Sequence, residues 1–86
     1  MKVYVVMDYD HRSNMIKVNS VFRKEESAHE AMLDLASYDV GDGSTYFSKM
    51  EDKNRVNVYY VPDLYDNDDV CGYIAKTYYV VTKELI

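Results

Sequence analysis

VFRKEESAHEAMLDLASY, residues 21–38, reads as the end of a strand running into one amphipathic helix, and this stretch decides the fold. Ala28, Ala31, Met32, Leu35 and Ala36 fall at i, i+3, i+4, i+7 and i+8, positions that share one face at 3.6 residues per turn. Glu25, Glu26, Glu30 and Asp34 lie mostly off that stripe. The first two stand where a helix's unpaired amides and the positive end of its dipole favour carboxylates. Ser27 and Glu30 have the spacing of a capping box, but the charged run before them can also be helical, so the helix start falls between Arg23 and Ala28. Gly41 and Gly43 can take positive φ and stop the helix, with its end expected near Ser37 or Tyr38.

Upstream, residues 2–8 are apolar on both faces, the pattern of a central strand. The polar break at residues 10–14 has turn-forming residues. Residues 15–22 then resume as a strand with Ile16, Val18 and Phe22 expected on one face. Downstream, residues 45–50 and 55–61 read as a hairpin around a turn at residues 51–54, closed by Pro62, which cannot donate to a ladder. Residues 77–82 form a last strand, β-branched and aromatic. Residues 70–76 either begin it, with a bend at Gly72, or form a separate turn. The expected fold is α+β in ββαβββ order: one domain over residues 1–86, with an antiparallel sheet of four or five strands and a single helix on one face.

Eighty-six residues bury only a small core, so oligomerisation would help stability. One cysteine excludes an internal disulfide framework and a zinc site of several thiolates. The apolar run at residues 3–7 is too short for a signal peptide or a membrane span. The expectation is a soluble cytoplasmic protein. The net charge of -5 is unevenly spread. Residues 1–24 carry five bases against two acids, and residues 25–52 carry eight acids against Lys49. This balance argues against direct binding to a phosphate backbone and suits a protein partner with a basic surface.

No catalytic constellation emerges. Asp8, Asp10 and His11 lie together, but aspartates are ordinary turn residues, and a hairpin turn would leave His11 exposed with nothing to shift its pKa. Cys71 has no evident base and reads as packing. His29 reads as an ion-pairing or packing residue on the helix. Residues 63–69 carry Asp63, Asp66, Asp68 and Asp69, the oxygen-rich donors a hard divalent ion prefers. An EF-hand starting at Asp66 would fail at Val70, Cys71 and Thr77, so the loop reads as solvated or partner-facing. Neither a metal nor a cofactor is expected, and the protein is not expected to be an enzyme.

Ten tyrosines stand against two phenylalanines and no tryptophan. Tyrosine combines apolar area, a hydroxyl and few rotamers to lose, properties that suit recognition surfaces. Tyr59-Tyr60 and Tyr78-Tyr79 should place one ring on each face of the sheet, leaving an aromatic face opposite the helix. With one helix, that face stays open unless another chain covers it, so a homodimer is an alternative to a foreign partner. The expected partner-binding residues are Asp39, Asp42, Tyr59, Asp63, Tyr65, Asp66, Asp68 and Asp69. A small ligand- or metal-binding domain is the third reading.

A short apolar first strand, a polar hairpin, then Val21-Phe22 and Glu25-Glu26-Ser27-Ala28-His29-Glu30-Ala31-Met32 resemble many small proteins encoded by phages and mobile elements. The resemblance covers the first 38 residues. It implies a protein that binds and blocks a host protein, such as a defence or nucleic-acid enzyme, within the host cytoplasm. It carries no functional residue across.

Overall fold

The computed structural model describes residues 1–43, 45–60 and 73–85. The elements run β1 (Lys2–Asp10), β2 (Met15–Phe22), α1 (Glu25–Val40), β3 (Tyr46–Asp52), β4 (Arg55–Tyr60) and β5 (Tyr73–Glu84). The strands form one antiparallel sheet in the order β2-β1-β5-β4-β3, with α1 packed on one face. β1 is internal, flanked by β2 and β5, in accord with its two apolar faces. The long β5 pairs with β1 on one side and β4 on the other, joining the two hairpins into one sheet.

The helix buries the stripe read from the sequence. Ala28, Met32 and Ala36 are buried, and Ala31 and Leu35 pack half-buried against the core. Two alanines let the helix backbone come close to the sheet, and Met32 fills the space between them among Val6, Val56, Val58 and Tyr78. Each large apolar side chain removed from water here contributes about 1.5–3 kcal/mol.

The helix begins after Lys24, which makes no side-chain cap, so the Ser27 capping box is not the start. Glu25 and Glu26 occupy the first turn instead. The helix runs past Tyr38 to Val40, where Gly41 takes φ 61° and its amide donates to the Ser37 carbonyl at 3.1 Å. The last polar residues stay helical because only Gly41 can adopt the left-handed turn that ends the helix.

A second difference concerns β2. Val6 pairs with Ser20 and Met7 with Val18, so Asn19 is an extra residue that bulges from the ladder. The bulge shifts the alternation by one. Ile16, Val18 and Val21 therefore pair with Tyr9, Met7 and Val5 on the helix-free face. Phe22, expected beside Ile16 and Val18, turns instead to the helix side, where it packs against the core. In the second hairpin, Asp52 pairs with Arg55 across Lys53 and Asn54, and the Asp52 carboxylate accepts from the Asn54 amide at 2.7 Å. His29, on the helix, bonds the Asn54 side chain through Nε2 at 2.8 Å, tying α1 to that turn.

Candidate functional site

The sheet has a helix-free face, and its two halves differ in chemistry. Val5, Met7, Ile16, Val18, Val21 and Val81 pave the β2-β1-β5 half. Ile16, Val18 and Val21 are 57, 58 and 56 % exposed. The adjacent tyrosines behave as alternation requires. Tyr78 is buried under the helix while Tyr79 lies on the open face beneath the Arg55 guanidinium, 5.6 Å from its ring centroid. Tyr60 meets Tyr46 on the helix side, and Tyr59 stacks on Phe47 on the open side with centroids 4.9 Å apart.

The other half carries a chain of hydrogen bonds across β5, β4 and β3. Asn57 donates through Nδ2 to Glu51 Oε1 at 2.9 Å and to the Tyr59 hydroxyl at 3.4 Å, and that hydroxyl donates to Glu51 at 3.1 Å. The Asn57 oxygen then accepts from Thr77 Oγ1 at 2.7 Å. With the Thr77 proton committed, His11 Nε2, 2.7 Å away, must be the donor to Thr77. A neutral His11 therefore holds its proton on Nε2.

This order of donors decides what the array can do. A base that activates a hydroxyl must accept its proton, whereas His11 gives one to Thr77, so the threonine is not poised as a nucleophile. Thr77 and Asn57 are 7 and 6 % exposed, which makes the chain a clasp holding three strands and the β1–β2 turn together. His11 is exposed in the turn, as expected, but its surroundings do perturb it. Its amide donates to the Ala75 carbonyl at 2.9 Å, its ring meets Tyr9 edge-on at 4.4 Å, and loss of hydration pushes its pKa down, opposed by the charge of Asp10.

On the helix side, an open cavity of ≈ 290 Å³ lies at the C-terminal end of α1, lined by Arg12, Tyr38, Asp39, Tyr46, Val58 and Lys76 among others. The Tyr78 hydroxyl donates to Asp39 at its edge. Loss of hydration, reinforced by that carboxylate, drives the Tyr78 pKa well above the ordinary tyrosine value. Behind the cavity, Asp8 is 3 % exposed, with Lys76 Nζ at 3.8 Å and Lys17 Nζ at 4.0 Å. Asp10 accepts from the Arg12 and Ser13 amides at 2.9 and 3.4 Å, and the Arg12 amide bond is the main influence holding its carboxyl below the usual range. The cations near this cavity are thus matched by carboxylates of the same chain. Among the described residues, no three His, Cys, Asp or Glu side chains are grouped to hold a metal ion.

The residues nominated from sequence do not converge. Asp39 stands in the cavity wall, Asp42 is exposed in the turn after α1, and Tyr59 lies on the opposite side of the sheet. Asp63, Tyr65, Asp66, Asp68 and Asp69 lie outside the described residues. The clasp residues Glu51, Asn57 and Thr77 were not nominated. The one trace of Asn57 and Thr77 in the sequence is polarity amid valine and tyrosine, as with Asn57 between Val56 and Val58; Glu51, on the largely polar β3, leaves none.

Charge is also divided by element. Residues 25–40, which make up α1, include five acids and no lysine or arginine, and next to Asp39 stands Tyr38, 86 % exposed. No helix among the described residues is long and apolar enough to cross a membrane. No family model matches the chain, and no curated protein or solved structure matches it.

Proposed function

We propose that the protein is a small, non-enzymatic binding module that covers a basic surface of another protein, acting as phage-type inhibitors of host defence or nucleic-acid enzymes do. The observation that carries this reading is the one-signed helix. Glu25, Glu26, Glu30 and Asp34 are exposed on α1, the helix carries no lysine or arginine, and the exposed Tyr38 stands near its end. Carboxylates displayed on a rigid element can occupy positions that phosphates take on a basic protein, and an exposed tyrosine adds contact area at low entropic cost. Asp42 is exposed in the turn that follows.

A homodimeric regulatory protein is the second reading, favoured by the exposed apolar half of the helix-free face. Light scattering on the purified chain separates the two, since a monomer at high concentration removes the homodimer. For the main reading, immobilised protein should capture a basic nucleic-acid enzyme from its native host at about 0.05 M salt and release it near 0.5 M. The Glu26→Lys/Glu30→Lys/Asp34→Lys variant should capture none of it. Capture that is indifferent to both salt and charge reversal would refute the proposal.

A further inference from the structure

We propose that β2 is a docking edge for an extended acidic segment of a partner protein, which adds as a further strand and rests its apolar side chains beside Ile16, Val18 and Val21. β2 ends the sheet, so half of its backbone amides and carbonyls face away from β1 with no neighbouring strand among the described residues. Such an edge templates another strand unless it is blocked. Residues 15–22 contain no proline and no acid. Their one lysine, Lys17, leans over β1 toward Asp8 and leaves the outer edge clear. The Asn19 bulge is the single interruption.

The side chains say what the added strand must carry. Met15 is 66 % exposed, and Ile16, Val18 and Val21 are each more than half exposed on the helix-free face, continuous with Val5, Met7 and Val81. An incoming strand with apolar residues at alternate positions would extend that paving and remove it from water. Its charge is set by the cations around the edge. Residues 11–24 carry Arg12, Lys17, Arg23 and Lys24 and no acid; Arg12 and Lys17 pair with Asp10 and Asp8 on β1, so Arg23 and Lys24, beside the Phe22 end of β2, are the cations that set it. Beyond Lys24, Glu25 and Glu26 open α1.

That same charge disfavours a second copy as occupant. Twofold pairing of β2 with itself is antiparallel and centred near Val18, which brings Arg12 of each copy toward Arg23 and Lys24 of the other. The opposite edge, β3, is no better counterpart. Its two acids, Glu51 and Asp52, stand at the hairpin turn between Lys49 and Lys53, which offset their charge. This inference is independent of the acidic surface of α1, so failure here leaves the charge-reversal test above undisturbed.

The test uses the full chain and three synthetic peptides of about ten residues. The first alternates valine with glutamate and threonine, the second replaces each glutamate by lysine, and the third is the first with N-methyl groups on alternate backbone nitrogens. Amide resonances of the protein, followed during titration, report the site. The acidic peptide should shift and protect the amides of residues 15–22. The lysine and N-methylated peptides should each bind at least about tenfold more weakly. Four outcomes would overturn the proposal: no binding of the acidic peptide, equal binding of the lysine peptide, binding indifferent to N-methylation, or shifts confined to other strands. Concentration-dependent shifts of the β2 amides without peptide would assign the edge to a second copy and overturn it equally.

Discussion

Thr77→Val tests the hydrogen-bonded clasp where it is most buried. The substitution keeps shape and removes the hydroxyl that donates to Asn57 Oδ1 and receives from His11 Nε2, both at 2.7 Å. His11 sits in the β1–β2 turn and can turn to water, so its loss costs little. Asn57 is 6 % exposed, and its oxygen is left without a donor. A buried acceptor stripped of its partner costs about 1–3 kcal/mol, a large share of the 5–15 kcal/mol typical of a whole domain. At this chain length that corresponds to a Tm lowered by roughly 4–24 °C. Urea unfolding followed by circular dichroism should show a lower midpoint with an unchanged slope. In Thr77→Val/Asn57→Val the stranded oxygen is gone, and Glu51 and Tyr59 still bond each other. The double variant should therefore lose less than the two single losses added together, with a coupling of about 0.5–3 kcal/mol. A Thr77→Val protein within about 0.5 kcal/mol of the parent, or strictly additive losses, would refute the reasoning.

Two further outcomes concern groups whose ionisation changes on folding. Tyr78→Phe removes the donor to Asp39 at the end of α1 and should destabilise by about 1–2 kcal/mol, below the full value of a charged hydrogen bond because Asp39 can still reach water. The folded Tyr78 pKa is raised above 10.0, so its contribution is complete below that pH and fades as pH rises beyond it. The parent should thus lose more stability above pH 10 than Tyr78→Phe does, and equal losses would remove the assigned role. His11 shifts the other way, with its folded pKa below 6.5, so the unfolded chain binds more protons and stability falls as pH drops below 6.5. His11→Gln, compared with the parent by urea midpoints at about pH 7.5 and about pH 5, should show a shallower fall; an identical fall would place the cause elsewhere. Asp10, lowered from 3.8, adds its own loss only in more acid solution, which keeps the two windows apart.

Local patterns in the chain were sufficient for the helix, for the central position of β1 and for the division of tyrosine pairs between faces. These follow from periodicities of 3.6 and 2, which neighbouring residues express without reference to the rest of the fold. The bounds of α1 were less legible, because Gly41, three residues beyond Tyr38, is where the backbone takes the turn that ends it.

What tertiary structure alone decided lies between strands distant in sequence. Asn19 gives no sign in its own neighbourhood that it will bulge, since a bulge is a mismatch with the partner strand β1, and it sends Phe22 to the helix and Val21 to the open face. The clasp likewise joins His11, Glu51, Asn57 and Thr77, whose side chains meet only when β5 lies between β1 and β4. The cationic, apolar edge at β2 exists because β5 takes the inner flank of β1 and leaves β2 outermost. Composition and spacing settle which face each residue of a regular element presents; strand order and register settle which of those faces stay in water.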